Sequence, residues 1–255
     1  MPSISAVIIT YNEEKNIARC IKSIRGVADE ILVVDSFSTD ATESICKSSG
    51  VTFIQHEFEG HIEQKNFALS QAQHDYILSL DADEALSSEL ALSIAEVKNN
   101  CQHDGYAFNR LTNYCGQWIR HCGWYPDPKI RLFNRQKASW GGINPHDKIK
   151  MATGAATRHI PGDLLHYTAS SVTEDIMQVN KFSEIKAVGL FRRGEKVGLL
   201  KMGLEPPWKF FKSYFLKAGF LDGWYGLIIC ANSAYAIFLR YAKLHEKNRT
   251  ARDKK

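Results

Sequence analysis

The chain has 255 residues, of which 44% are hydrophobic and 24% are charged, as expected for a globular protein with a core of its own. The formal net charge of +4 is too small to indicate nucleic-acid binding, although a polyanionic substrate or an anionic membrane surface remains compatible with it. The six cysteines show no CxxC spacing and the N-terminus shows no export signal, so we expect a cytosolic protein with reduced cysteines.

The first hundred residues alternate between strand and helix patterns. Short apolar runs predict buried strands at residues 4–9, 31–34, 51–54 and 76–80. Predicted helices follow each of them: one capped by Thr10 and Glu13, one from Asp40 to Gly50, one over residues 61–73, and one that begins at Ser87 or Ser88. This alternation predicts an α/β fold with a parallel sheet and crossover helices.

The pattern changes after about residue 105. Residues 105–111 and 129–133 are predicted strands, and the apolar spacing over residues 172–193 is helical. We expect residues 1–170 to form one domain, with a half at 1–100 and a half at 101–170. A helical region at 171–245 and a charged tail at 246–255 are expected to follow.

The acidic run Leu80-Asp-Ala-Asp-Glu84 stands at the end of a predicted buried strand. Ligands of open α/β sheets bind beyond the carboxyl ends of the strands. In an extended chain Asp81 and Asp83 would point to one side, which suits a divalent cation that also bridges substrate phosphates. The alternative is an acidic turn before a helix, because a helix N-terminus favours negative charge.

Other polar residues close neighbouring predicted strands. Thr10-Tyr11-Asn12-Glu13 follows the first strand, Asp35 ends the second, and Lys65-Asn66 lies on the helix before the acidic strand. Each has an ordinary alternative, such as helix capping for Thr10 and a solvated helix face for Lys65. Together they predict a nucleotide site at one edge of the sheet.

Three runs resemble those of family 2 glycosyltransferases with the GT-A fold: Ala6 to Glu14, Ile31 to Asp40, and Leu80 to Glu84. The resemblance implies a Rossmann-like nucleotide-binding sheet flanked by helices, with a C-terminal helical region. It also implies that Asp83 contacts Mg²⁺ or Mn²⁺. The expected donor-binding residues are Thr10, Tyr11, Asn12, Glu13, Asp35, Lys65, Asn66, Asp81 and Ala82.

The second half is similar to the lipopolysaccharide-core β-1,4-glucosyltransferases. The similar stretches are residues 129–133, Trp140-Gly-Gly, Pro145-His-Asp147, Leu165-His-Tyr167 and residues 215–223. The resemblance implies transfer of glucose from UDP-glucose to an inner-core heptose. It departs from the usual pattern at one point, because this chain has His146-Asp147 where relatives usually have His-Glu.

Inversion at the sugar needs one in-line displacement and a carboxylate that takes the proton of the acceptor hydroxyl. We expect Asp147 to be that base; its alternative is a turn carboxylate that bonds its own backbone. Arg131 is a candidate catalytic cation, or else a ligand for acceptor phosphate. His166 is a candidate metal ligand with Asp83, or else a structural histidine.

The C-terminal region is both aromatic and basic. Residues 223–239 contain no formal charge but fall short of the roughly 20 apolar residues of a membrane span. Lysines and aromatic residues at 208–217, with the basic tail at 243–255, are typical of contact with an anionic lipid surface. We therefore expect a peripheral protein on the cytoplasmic face of the inner membrane. The alternative is a core helix with a solvated basic face.

The sequence lacks the motifs of three other enzyme classes. A nucleotidyltransferase should have a Gly-rich basic loop after the first strand, a dehydrogenase a GxGxxG motif and a processive synthase a QxxRW motif, and this chain has none of these. Two alternatives stay open: transfer to a polyprenyl phosphate or another glycan, and a nucleotide-sugar-binding protein without turnover.

Overall fold

The computed structural model describes residues 1–144 and 146–253, so Pro145, Lys254 and Lys255 lie outside the described residues. The chain divides into two compact units. The N-terminal unit comprises Met1–Leu111 and Asp127–Tyr167, and the C-terminal unit comprises Thr112–Pro126 and Thr168–Lys255. The domain boundaries expected from the sequence stay a prediction.

The described residues form strands and helices that alternate through the first hundred positions. The strands are β1 (Ile4–Thr10), β2 (Glu30–Asp35), β3 (Thr52–Gln55), β4 (Tyr76–Asp81), β5 (Glu84–Leu86), β6 (Gly105–Tyr114), β7 (Gln117–Ile119), β8 (Pro128–Asn134), β9 (Ala138–Ile143), β10 (His146–Met151) and β11 (Thr157–Ala169). The helices are α1 (Ile17–Ile24), α2 (Thr42–Ser48), α3 (His61–Gln71), α4 (Ser88–Asn99), α5 (Val172–Arg192), α6 (Leu199–Phe211) and α7 (Gly223–Asp253).

The main sheet has a parallel half and an antiparallel half. Its strand order is β3-β2-β1-β4-β8-β6-β11-β5, with β7 paired to the end of β6, and β9 and β10 form a separate antiparallel pair. Strands β3, β2, β1 and β4 run parallel. From β8 onward the described pairs are antiparallel. The predicted α/β fold, with a parallel sheet in the first hundred residues and helices at the C-terminus, is confirmed.

Apolar side chains cover both faces of the parallel strands, as the continuous apolar runs require. Ile17, Cys20, Ile21 and Ile24 of α1 recur at helical spacing, and all are buried in the cluster on one face. A second cluster on the other face includes residues of β1, β2, α3 and Trp140. The strands are thereby fixed, and their carboxyl ends are left to carry the polar loops.

One local prediction is wrong. Thr10 and Glu13 do not cap α1, which begins at Ile17 after Asn16. Asn12 takes a positive φ of 54°, and its backbone N–H donates to Ser38 instead. The predicted cap of α4 is confirmed, because the Ser87 side chain accepts a hydrogen bond from the Leu90 N–H.

The C-terminal unit is held by polar contacts as well as by apolar packing. The Asp175 carboxylate of α5 accepts hydrogen bonds from the Tyr114 hydroxyl at 2.8 Å and the Asn232 amide of α7 at 2.6 Å. The buried Asp222, in a 3₁₀ turn before α7, accepts from the His121 N–H at 2.8 Å. These bonds satisfy polar groups that would otherwise be costly to bury.

Helix α7 extends through most of the charged tail, as far as Asp253. Lys247 pairs with Glu184 of α5 at 2.6 Å, and the Asn248 amide donates to the Glu195 carbonyl. By length and composition the stretch Gly219–Arg252 could cross a membrane, since its most apolar 18-residue window has a mean hydropathy of 1.2. Only 22% of its most apolar window is buried inside the structure.

We predict opposite effects for two glycine substitutions in the C-terminal unit. A Cβ on Gly226 would lie 1.9 Å from the Gly219 carbonyl oxygen, so Gly226→Ala should lower the free energy of unfolding by about 2 kcal/mol or more. A Cβ on Gly203, inside α6, meets no atom of the described residues within 4 Å, and Gly203→Ala should stabilise by about 0.5–1 kcal/mol. Denaturant unfolding of both variants measures the difference; equal stabilities would contradict the close helix-to-turn packing.

Candidate functional site

The sheet register brings three of the sequence motifs to one edge. Thr10 at the end of β1 pairs with Asp35 at the end of β2, and Ile9 pairs with Asp81 at the end of β4. Parallel strands that end together present their following loops on the same side. The predicted convergence of these motifs is therefore what the structure shows.

The loop after β1 is tied to the loop after β2. The Asn12 amide oxygen accepts from the Thr39 N–H at 2.8 Å, and the Glu13 N–H donates to the Thr42 hydroxyl at 2.8 Å. Tyr11 is left 57% exposed, so its ring is free to meet a ligand. Buried Thr10 Oγ1 makes no hydrogen bond to any described residue.

Asp35 is buried within its own loop. One carboxylate oxygen accepts from the Ser38 N–H at 2.8 Å, and the other accepts from the Ser38 hydroxyl at 2.5 Å. This bonding two to three residues ahead is typical of aspartate in a turn. In this structure Asp35 shapes the loop that faces the cleft.

Lys65 is the central cation of the site. It lies on α3 with its side chain only 4% exposed, and its Nζ is 2.9 Å from Asp81 and 2.8 Å from Asp147. A buried ammonium needs such partners, because leaving it unpaired would cost several kcal/mol. Lys65 thus joins carboxylates that are 66 positions apart in the chain.

Arg131 of β8 is a second cation that contacts the Asp81 carboxylate. Its Nη2 is 3.2 Å from Asp81 and 2.9 Å from the fully buried Glu84, while Glu84 accepts from the Asp81 N–H at 3.0 Å. Burial would raise the pKa of Asp81, but the charges of Lys65 and Arg131 outweigh it and lower that pKa. Arg131 Nε and Nη1 are buried without a hydrogen-bond partner among residues 1–144 and 146–253.

Trp140 packs against both cations. Its ring centroid is 4.2 Å from Lys65 Nζ and 5.1 Å from Arg131 Cζ, within the range of cation–π attraction. The Asn66 side-chain amide holds the Trp140 backbone: its nitrogen donates to the Trp140 carbonyl and its oxygen accepts from the Trp140 backbone N–H, both at 3.0 Å. The Asn66 amide is therefore hydrogen-bonded to the backbone of β9, whereas the sequence predicted that it binds the donor.

Asp83 and His166 meet on the other side of the acidic motif. His166 Nε2 is 3.2 Å from Asp83 Oδ2, and the Tyr167 N–H donates to the Asp83 carbonyl at 2.9 Å. Burial lowers the pKa of His166, but the Asp83 charge and hydrogen bond raise it above its ordinary value. The chain turns at Ala82 and Asp83, so strand alternation does not set the direction of the two aspartates.

Glu13 completes the acidic edge. Burial raises its pKa, a hydrogen bond from Asn16 opposes this, and the negative charges of Asp83, Asp40 and Asp81 raise it further. A concentration of carboxylates attracts cations. In the part of the chain that the structure describes, no three His, Cys, Asp or Glu side chains are arranged to hold a metal by themselves.

Two features of the site could not be read as functional from the sequence. Glu84 forms the buried ion pair with Arg131, and the Trp140 ring packs against Lys65 and Arg131.

Asp147, for which a turn was the alternative, lies on β10 opposite Gly142 of β9. A strand holds its side chain in one direction, towards Lys65.

Comparison with known proteins gives the family. A family profile described as glycosyl transferase family 2 matches residues 5–155, more than half of the chain. An uncharacterized glycosyltransferase of Rickettsia typhi is 33% identical over 263 residues, covering 99% of this chain and 90% of the relative. The lipopolysaccharide core biosynthesis glycosyltransferase LpsC of Rhizobium meliloti is 29% identical and covers 96% of this chain and 93% of its own.

Among solved structures, S. aureus TarS (residues 1–349) is 15% identical, with a TM-score of 0.46 over 98% of this chain and 92% of that one. Glucosyl-3-phosphoglycerate synthase of Mycobacterium tuberculosis, solved with Mn²⁺ and UDP, is 24% identical with a TM-score of 0.36 over 44% of each chain. The profile match and the near full-length relatives establish the family. The chain belongs to the family 2 glycosyltransferases and is a glycosyltransferase enzyme.

Proposed function

We propose that this enzyme is an inverting glycosyltransferase that moves glucose from UDP-glucose to an inner-core heptose of lipopolysaccharide. The observation that carries the proposal is the Lys65 bridge, which holds the Asp147 carboxylate beside the acidic motif at the strand ends. The similarity to LpsC supports a lipopolysaccharide acceptor. The choice of UDP-glucose rests on the resemblance of the second half to core glucosyltransferases.

The donor is proposed to lie along the carboxyl ends of β1, β2 and β4. Thr10, Tyr11, Asn12, Glu13 and Asp35 border the place of the base and ribose, and Asp81, Ala82, Lys65 and Asn66 border the diphosphate and sugar. Exposed Tyr11 offers an aromatic face to the base. The catalytic part is proposed to be residues 1–170.

The proposed metal ligands are Asp83 and His166. A carboxylate oxygen and an imidazole nitrogen 3.2 Å apart, with side chains 24% and 17% exposed, fit a cation that takes its other ligands from substrate phosphates and water. A bound Mg²⁺ or Mn²⁺ would neutralise charge on the leaving diphosphate.

Asp147 is the proposed general base. The acceptor hydroxyl oxygen attacks the anomeric carbon, its proton passes to Asp147, and the bond from that carbon to the phosphate oxygen breaks with its electrons going to the diphosphate. The Lys65 contact at 2.8 Å orients the carboxylate, whose side chain is 13% exposed. Arg131, 4% exposed, is proposed to act through Asp81, which it holds in place.

The test of the reaction is donor turnover. Purified protein is incubated with UDP-, GDP- and dTDP-sugars, with or without Mg²⁺ or Mn²⁺, and with a heptose-containing core lipid. We expect UDP release only with UDP-glucose, metal and that acceptor. Transfer to a polyprenyl phosphate instead would show that the acceptor differs from the one proposed. Donor binding without UDP release would indicate a nucleotide-sugar-binding protein.

We predict that Asp83→Asn lowers metal-dependent turnover by at least about 100-fold while the protein stays folded, because the amide is a poor metal ligand. The matched control is Asp75→Asn, on the surface of the same unit, with its side chain 59% exposed. The measurements are initial rates against metal concentration and thermal unfolding of both variants. Full activity of Asp83→Asn would remove this residue from the metal site.

We predict that Asp147→Asn still binds the donor but loses transfer by about 10²–10⁴-fold, the usual contribution of a general base. Calorimetric titration with UDP and single-turnover assays separate binding from chemistry. Normal transfer would place the base elsewhere. Asp127 would then be examined first, because Glu84 is fully buried against Arg131.

A further inference from the structure

Helix α6 carries a stripe of large apolar side chains that the C-terminal unit leaves uncovered. The stripe continues into the π-helical turn Lys212–Leu216. It consists of Leu200 (76% exposed), Leu204 (61%), Trp208 (56%), Phe211 (44%) and Phe215 (51%). At about 100° per residue these five positions fall within an arc of about 80° on one helix face.

The opposite face of the same segment is the one that packs inward. Pro206 and Ser213 are its buried residues, and by the same helical arithmetic they lie on the far side from the stripe. Helix α6 therefore carries its large apolar side chains on its exposed face, which is the reverse of the usual arrangement in water. Its apolar face is turned away from the unit's interior.

The stripe is continuous with a second exposed apolar group. Ring centroids are 5.8 Å apart for Trp208 and Phe211, and 5.2 Å apart for Phe211 and Phe215. The contacts pass through Tyr214 to Phe220, at 6.2 Å. Leu221, in the 3₁₀ turn before α7, and Trp224, in the first turn of α7, follow with exposed fractions of 61% and 72%. A connected apolar surface of this extent marks an interaction site.

The charges around this surface are positive. Lys201, Lys212 and Lys217 are exposed and form no ion pair within the described part of the chain, although Lys201 Nζ lies 5.6 Å from the centroid of the Tyr241 ring. The acidic residues of the same stretch are engaged elsewhere: Glu205 binds Arg240 and Tyr241, and buried Asp222 binds His121. The surface thus offers lysines without acidic partners beside apolar and aromatic side chains.

We infer that the stripe on α6, with Phe220, Leu221 and Trp224, inserts into the interfacial region of a bilayer that contains anionic lipids. Apolar side chains would enter the acyl boundary, tryptophans would lie at headgroup level and the lysines would face lipid phosphates. A symmetric dimer would place the same patch of each copy against the other, bringing the lysines together. Charge complementarity therefore favours the bilayer over a second copy.

The inference deepens the proposed function and rests on it only for the lipid nature of the acceptor. Insertion would hold the enzyme at the surface where a lipid-linked acceptor resides. The two ideas can fail separately, because vesicle binding needs no substrate and the donor turnover assay contains no vesicles.

The experiment is sedimentation of the full-length protein with phosphatidylcholine vesicles and with vesicles that also contain phosphatidylglycerol. We expect salt-sensitive binding to the anionic vesicles and a blue shift of tryptophan emission. The triple variant Leu204→Gln, Trp208→Gln and Phe215→Gln should bind at least about 10-fold more weakly. Removing Lys201 or Lys212 should cost about fivefold each at low salt.

The matched control is Leu92→Gln, an equally exposed leucine (69%) on α4 of the N-terminal unit, which should bind as the wild type does. The affinity for UDP, measured by calorimetric titration without vesicles, should be the same in all variants. The inference is overturned if wild type does not bind anionic vesicles, if the triple variant binds equally well, or if the wild type is a dimer that the triple variant dissolves. Vesicle binding without any sugar transfer would overturn the proposed reaction alone.

Discussion

The candidate site depends on one buried ammonium group. Lys65 has a side chain that is 4% exposed, and its Nζ contacts Asp81 and Asp147 at 2.9 and 2.8 Å. A charge in that position is tolerable only with close counter-charges. The requirement fixes the relative places of α3, the end of β4 and β10. Arg131 and Glu84 extend the same pairing into the sheet, so the carboxylates are set before any ligand arrives.

The two halves of the sheet contribute differently to this arrangement. The parallel half supplies loops at the ends of β1, β2 and β4, which hold Tyr11, Asp35 and Asp81 at one edge. The antiparallel half supplies Arg131 from β8 and His166 from β11, whose pairing with β5 places His166 opposite Glu84. The two sets of polar side chains thus come from different kinds of strand pairing. Asp35 and Asp81 are the last residues of their strands, and Arg131 and His166 lie within strands, which hold side chains more rigidly than a loop holds Tyr11.

The C-terminal unit distributes its side chains in an unusual way. The contacts between α5 and α7 include charged and amide groups, as in the pair of Asp175 with Asn232 and that of Glu184 with Lys247. Large apolar side chains of α6 are instead turned outward, up to 76% exposed along the stripe. Water gives no reason for that allocation, since apolar surface is normally buried. A lipid interface, as we infer for this face, would account for it, because such an interface solvates apolar and basic groups side by side.

The sequence alone determined the alternating strands and helices of the first hundred residues and the edge at which polar residues collect, because strand and helix periods are local properties and parallel strands end on the same side. It also determined the family, through motifs in the first hundred residues and matching stretches in the second half. Only the tertiary structure decided the partners of the charged groups. That Lys65 meets Asp147, that Arg131 reaches Glu84, and that Asn66 serves Trp140 depend on contacts between residues far apart in the chain. No local pattern encodes such distances, since they follow from how the sheet twists and how its second half folds back. The direction of the α6 stripe was settled in the same way, because a helical period defines an apolar face but not what that face packs against.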